Sequence, residues 1–296
     1  MQDSSPPLVS VVIPAYNGTT RYLAQAIASV LAQTETNHEL IVADDASADA
    51  TDQLVARFPS VRYIRRPKNG GQSAARNTGA QAARGTYLAF LDQDDLWEPT
   101  FLQDTLAQLA PVADAAVVHC DGYQVNEQNV ILEYDAAMKH TDSITQRLRG
   151  GHDIATSGSL FRKTCFDAVG GYDENLAIWE DIDLGIRLYQ RYRFLYHPKP
   201  LYRHRLYGHN ASRGIPSLRA LDGRRRFLDK HAASCKPGTP DAAVLAHDWA
   251  IYYSDLGKHH LNAHAAQQAR AAFLQSLRHD PWNLKTFSRL VRSFLV

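Results

Sequence analysis

Apolar positions fall into two alternating rhythms over the first third of the chain. Leu8 to Ile13 is a Val- and Ile-rich run broken only by Ser10, the pattern of a strand covered on both faces, and Pro14 is expected to stop it. Ala15-Tyr16-Asn17-Gly18 reads as a loop, after which Leu23, Ala26, Ile27, Val30 and Leu31 recur at helical spacing. Glu39 to Ala43 predicts a second strand ending at Asp44-Asp45-Ala46-Ser47, with a helix over about residues 49–58 behind it. Val61 to Ile64 predicts a short third strand. Pro67-Lys68-Asn69-Gly70-Gly71 is a loop whose backbone can approach a ligand closely, and Ser73 to Ala83 is a small-residue helix closed by Gly85. A fourth strand starts at Tyr87 and runs into Asp92-Gln93-Asp94-Asp95 before Trp97 and Pro99 end the extended segment.

Strand and helix alternating in this way predict an α/β fold, a mostly parallel central sheet flanked by helices. Ligands bind such sheets beyond the carboxyl ends of the strands, so Pro14-Ala15-Tyr16, Asp44-Asp45 and Asp92 to Asp95 should converge on one rim. Downstream, the pattern predicts a helix over Thr100 to Leu109 and a strand over Ala115 to His119. The polar, turn-rich stretch from Asp121 to Gly151 has no firm period. Further strands are expected at Ser157 to Phe161 and Tyr192 to Tyr196. Between them come a short helix over Cys165 to Val169, a turn at 170–174, and a helix opening at Trp179-Glu180-Asp181-Ile182-Asp183-Leu184. Leu201 to Ser212 is basic, aromatic and His-rich. From about Pro216 the composition turns Ala- and Leu-rich and helical, which divides the chain into a domain over 1–215 and a helical appendage over 216–296. The domain itself divides into halves at about 8–110 and 111–215.

Its 296 residues are enough for one large α/β domain with an appendage. Lys plus Arg (32) nearly balances Asp plus Glu (31), so no whole-protein field draws in nucleic acid or an anionic membrane and any polyanion site must be local. The three cysteines are far apart without metal-ligand spacing, which points to a reducing, cytoplasmic setting. Met1 to Pro7 has no signal-peptide core, and no apolar stretch approaches spanning length. The tail from Phe287 sets Arg289 and Arg292 among apolar residues. It is expected to pack onto the rest of the chain, with peripheral contact at the inner face of a cell membrane as the other reading.

Three carboxylates within four residues at the tip of a buried strand repel one another. They are tolerable with a cation, ordered water or hydrogen-bond donors nearby. With Val11-Val12-Ile13-Pro14-Ala15-Tyr16-Asn17, Val42-Ala43-Asp44-Asp45-Ala46-Ser47, Ala75-Arg76-Asn77-Thr78-Gly79 and Trp179 to Leu184, this stretch forms an ordered set. The set resembles the family 2 inverting glycosyltransferases of the GT-A, Rossmann-like nucleotide-diphosphosugar transferase fold, over roughly residues 8 to 213.

The resemblance implies a sugar moved from a nucleotide-diphosphate donor, UDP by default, to a carbohydrate or lipid-linked acceptor with inversion, assisted by Mn²⁺ or Mg²⁺. Pro14, Ala15 and Tyr16 would line the nucleotide pocket, and Asp45, with Asp44, would accept a base N–H. Asn69 in the glycine loop, Asp92 beside the ribose and Gln93 would complete the donor side, while Asp94 would ligate the metal. Asp92 and His209 are further metal candidates. Asp181 would be the catalytic base, with Glu180 and Trp179 on the acceptor side. Arg76 would tie down the strand carrying the acids. The family pattern has a His where this chain has Tyr207. Two alternatives stand beside this reading, a catalytically inactive nucleotide-binding or scaffolding protein of the same fold and a sugar-nucleotide nucleotidyltransferase. The second normally carries a Gly-rich, basic loop after the first strand, which Pro14 to Gly18 is not.

Overall fold

The computed structural model describes residues 6–20, 22–137, 154–207, 217–232, 235 and 238–294. The chain separates into two compact units. Among the described residues, one holds those up to Tyr207 apart from Asn175–Trp179, and those five residues join the chain beyond Tyr207 in the other.

The first unit is built on a nine-stranded sheet. Strands β1 (Val9–Ala15), β2 (His38–Asp44), β3 (Val61–Arg65) and β4 (Tyr87–Phe90) pair in the order β3-β2-β1-β4, all parallel, as their Val/Ile-rich runs predict. Beyond β4 the sheet becomes mixed. β8 (Ser159–Arg162) pairs antiparallel with β4 and with β6 (Ala115–Val125), and β9 (Arg193–Arg205) runs parallel to β6. β5 (Leu96–Trp97) pairs antiparallel with β9, and β7 (Ile131–Asp135) hangs on β6. Helices α1 (Leu23–Leu31), α3 (Gln72–Ala82), α4 (Phe101–Leu109), α5 (Lys163–Ala168) and α6 (Glu180–Tyr189) lie with it, together with a single turn, α2 (Thr51–Val55). Two buried clusters hold the layers. One centres on Val11, Ile13, Ile27, Leu40, Leu91 and Phe101, and the other on Val12, Ile41, Phe90, Phe161, Phe166 and Leu184. Gly79 on α3 faces Val12 so closely that a Cβ would collide with its Cγ1, which is how the small-residue helix seats on β1.

Four details depart from the sequence pattern. β1 continues through Pro14 to Ala15. Its pairing with β4 has ended at Val12↔Phe90, so the missing proline N–H falls beyond the last β4 partner. α2 is five residues rather than the ten expected. β7 lies inside the stretch without a firm period, joined to β6 through Asp121, which accepts the Tyr134 hydroxyl at 2.5 Å. β9 extends nine residues past the expected Tyr192–Tyr196 strand and carries His204 and Arg205 to the acidic rim, with shifts in its register against β6 at Asp121.

The second unit contains α7 (Leu218–Ala232), α8 (Pro240–Asn262), α9 (Ala266–His279) and α10 (Leu284–Arg292), the helical appendage expected after Pro216. Among the described residues no helix is long and apolar enough to cross a membrane.

Candidate active site

The acids at the strand ends have different partners. Asp44, fully buried, accepts the Ser47 N–H at 3.0 Å and the hydroxyls of Ser47 and Tyr63, with Arg65 at 3.5 Å. Asp45 is 2% exposed. Both of its oxygens accept Gly70 N–H, at 3.0 and 3.1 Å, Oδ2 accepts Gly71 N–H at 2.6 Å, and Arg66 pairs with Oδ1. Gly71 adopts φ 92°, a backbone state open to glycine, and this turns the two amides onto the carboxylate. Asn69 lies exposed immediately before them.

Pro14 and Ala15 are buried within β1, and of the expected nucleotide-pocket trio Tyr16 reaches the surface. Its backbone is clamped by Gln93, whose Oε1 accepts Tyr16 N–H at 3.0 Å while Nε2 donates to Tyr16 O at 3.2 Å. The loop after β1 is thereby locked to the acidic loop after β4.

In that acidic loop, Asp95 is buried. It accepts Ser157 Oγ–H at 2.6 Å and Arg205 N–H at 3.0 Å, with His204 Nδ1 at 3.5 Å. The carboxylate pushes the His204 imidazole up to about 9. Asp95 therefore supports β9, and the helix cap that follows is Thr100. Ser157 also accepts Asp92 N–H at 3.2 Å and gives its carbonyl to Trp97 Nε1 at 2.6 Å, fixing the floor beneath the loop. Asp94 accepts the Tyr207 hydroxyl at 2.8 Å. Burial, then the charges of Asp95 and Asp92, push the Asp94 carboxyl up to about 6.

Arg76 joins this loop to α6. It is fully buried, with Nη2 on Asp92 Oδ1 at 2.6 Å, Nη1 on Glu180 Oε1 at 2.9 Å, and its guanidinium 5.1 Å from the Tyr172 ring centre. The expected tie to the acid-bearing strand is thus seen, and it extends to Glu180. Gln72 also donates to Glu180, and burial with the Asp181 charge pushes Glu180 up to about 7 against the pull of Arg76. Asn77, one residue along α3, exchanges hydrogen bonds with both backbone groups of Tyr172. Asp181, half-buried at the start of α6, accepts Ile182 N–H at 2.8 Å, in the first turn where the helix dipole favours a carboxylate. Trp179 belongs to the second unit, where it meets Phe227 edge to face at 5.1 Å and the Arg224 guanidinium at 4.4 Å.

Sequence reasoning expected Pro14-Ala15-Tyr16, Asp44-Asp45 and Asp92 to Asp95 on one rim, and the structure adds Glu180, joined to Asp92 through Arg76. Sequence reasoning missed Arg66, Tyr63 and Gln72, whose partners are remote in sequence. Tyr207, met only as the residue standing where the family pattern has His, reaches Asp94. His209 lies outside the described residues. Among the described residues no group of three or more His, Cys, Asp or Glu side chains is placed to hold a metal ion.

The sequence profile of glycosyl transferase family 2 matches residues 10–170. A chondroitin synthase of Escherichia coli is 28% identical over 70% of this chain and 30% of its own length. A succinoglycan biosynthesis protein of Rhizobium meliloti is 45% identical over 37% of this chain and 31% of its own. The chain thus spans about a third of the length of these relatives. Among solved structures, residues 1–349 of S. aureus TarS in complex with UDP-GlcNAc superpose with a TM-score of 0.66. That match has 18% identity and covers 97% of this chain and 89% of that one. It carries the fold, and the GT-A expectation holds. With the profile covering more than half of its residues, the chain belongs to glycosyl transferase family 2.

Proposed function

We propose that this chain transfers a sugar from a UDP-sugar to a carbohydrate or lipid-linked acceptor with inversion of the anomeric centre, in the cytoplasm. The observation that carries the reading is the Arg76 bridge between Asp92 and Glu180, which links the donor-side acids to the residue preceding Asp181. The UDP-GlcNAc bound by TarS and the polymer syntheses named for the relatives support this donor and acceptor class.

Asp94, with Asp92, would hold a divalent cation such as Mn²⁺ or Mg²⁺. The donor set fits, because burial and the charges of Asp95 and Asp92 raise Asp94, and hard cations take few protein oxygens beside phosphate and water. Such an ion, when bound, neutralises charge on a departing diphosphate. The remaining roles fall to the chain. Tyr16 and Gln93 shape the wall beside the nucleotide. A base N–H would replace one of the donors now on Asp45. Asp181 takes the proton from the acceptor hydroxyl, whose oxygen attacks the anomeric carbon opposite the leaving group, and one displacement inverts it.

Calorimetry of UDP and of GDP with and without Mn²⁺ tests the donor side. UDP binding should strengthen with Mn²⁺ in wild type and lose that gain in Asp94→Ala, while Asp181→Ala binds normally without turnover. Absence of any nucleotide-diphosphate binding refutes the reading, and equal loss of binding in both variants refutes the choice of base.

A further inference from the structure

Helix α10 is built inside out. The side turned onto its own unit is polar. Thr286 and Ser293 are buried, Thr286 Oγ1 lies 3.0 Å from Ser254 Oγ, and Arg289 donates to the same hydroxyl at 3.0 Å. Leu290 is half-buried on that side, and the other apolar residues are exposed. Leu284 is 80% exposed, Phe287, Val291 and Phe294 are each half exposed or more, and Trp282 just before the helix is 88% exposed. At 3.6 residues per turn, Leu284, Phe287 and Val291 share a stripe about 60° wide. Lys285 and Arg292, seven positions apart, line one flank of it.

An apolar stripe held outward by specific polar contacts on the opposite side needs an apolar medium to cover it. The surrounding charge indicates which. From Leu256 onwards the sequence holds one acid, Asp280, against Lys258, Arg270, Arg278, Lys285, Arg289 and Arg292, in a protein whose overall charge is nearly balanced. A two-fold dimer through this face would set Lys285 and Arg292 against their own copies, with no acid on α10 to answer them. An anionic lipid surface supplies the missing charge and the apolar depth together, and an exposed Trp beside a cationic amphipathic helix suits the headgroup boundary.

We propose that Trp282 and the outward face of α10 dock this protein on anionic bilayers, with the helix lying in the interfacial plane. The proposal is independent of the donor and metal assignments. Flotation of the full chain with phosphatidylcholine vesicles, with and without phosphatidylglycerol, tests it. Wild type should float with the anionic vesicles. The Phe287→Ser/Val291→Ser variant should bind them ~10-fold more weakly or worse, and Lys285→Glu/Arg292→Glu should lose the preference for anionic lipid. These side chains are exposed, and an unchanged circular dichroism spectrum verifies that each variant is folded. The proposal is overturned if wild type stays unbound with anionic vesicles, or if the serine variant floats as well as wild type. It is equally overturned if wild type dimerises in sedimentation velocity through these residues and ignores vesicles, which would make a second copy the occupant.

Discussion

Replacing Arg76 with methionine keeps a buried stem of similar length and removes the guanidinium shared by Asp92 and Glu180. Glu180 is 5% exposed and stands at about 7 rather than 4.5 even with Arg76 pulling it down. A carboxyl raised in the folded state lowers stability as pH climbs past its unfolded value, and the loss levels off once the folded group ionises too. At about 1.4 kcal/mol per pH unit, wild type loses about 3.5 kcal/mol through Glu180 between those two values. Without Arg76 the carboxyl stays protonated to higher pH, and holding that proton at about pH 8 costs about 5 kcal/mol. The Glu180 part of the deficit is therefore about 1.5 kcal/mol at about pH 8 and near zero at about pH 5, where both proteins are protonated. Asp92, a third exposed, adds about 0.5–1 kcal/mol for its lost ion pair. The total, about 2 kcal/mol at about pH 8, falls below the ~3–5 kcal/mol of a stranded buried charge because protonation offers an escape. Urea titrations of both proteins at about pH 5 and about pH 8, followed by intrinsic fluorescence, measure it. A deficit equal at the two pH values, or larger at the lower one, would sink the assignment of Arg76 as the counter-charge of Glu180.

Tyr207→Phe removes a hydrogen bond that favours ionised Asp94, so the carboxyl climbs further above about 6. Mn²⁺-dependent UDP binding should weaken about twofold at about pH 6.5 and about fivefold, the worth of one ~1 kcal/mol hydrogen bond, at about pH 5, and recover by about pH 8 in calorimetry. His204, held up to about 9 by Asp95, contributes stability that is complete below its ordinary 6.5 and lost as pH rises through about 9. His204→Gln should lack that slope in urea midpoints, and a variant with the wild-type slope contradicts the pairing. Gly79→Ala forces a Cβ into Val12, and thermal melts should show a loss of about 1–3 kcal/mol, whereas an unchanged midpoint means that α3 does not seat on β1 so tightly.

The parallel half of the sheet is legible because strands covered on both faces leave continuous apolar runs, as at Val9–Ile13 and Leu40–Ala43. β9 is legible only at its start, up to Tyr196, since Arg193–Arg205 contains Pro198, Pro200, two histidines and four Lys or Arg residues, many of them facing site partners or solvent. β7 is equally silent because Ile131 to Glu133 are exposed and the strand pairs with β6 alone. Arg76 stands out within a run of Ala, Ser and Gly, yet Glu180, one of its two carboxylate partners, lies 104 positions away and no local pattern names it. In α10, which side faces the protein depends on Ser254, a partner on another helix.

The acids at the rim began as a set of similar charges, and their neighbours make them unequal. Asp44 is met by hydroxyls and Arg65, Asp45 by two backbone amides and Arg66, Asp92 by Arg76, and Asp95 by Ser157, an amide and His204. Asp94 is met by a neutral phenol, which supplies a hydrogen bond without a compensating charge. Burial and the charges of Asp95 and Asp92 push the Asp94 carboxyl up to about 6, while the surrounding acids are held in fixed geometry. A cation bound there, as proposed, would gain most from Asp94 and have little to rearrange around it, because the partners of Asp92 and Asp95 are set by the fold. The same logic explains why Gln93 separates Asp92 from Asp94. A third acid at that position would add repulsion, whereas the amide spends both of its polar atoms holding Tyr16 and so fixes the loop after β1 against the acids.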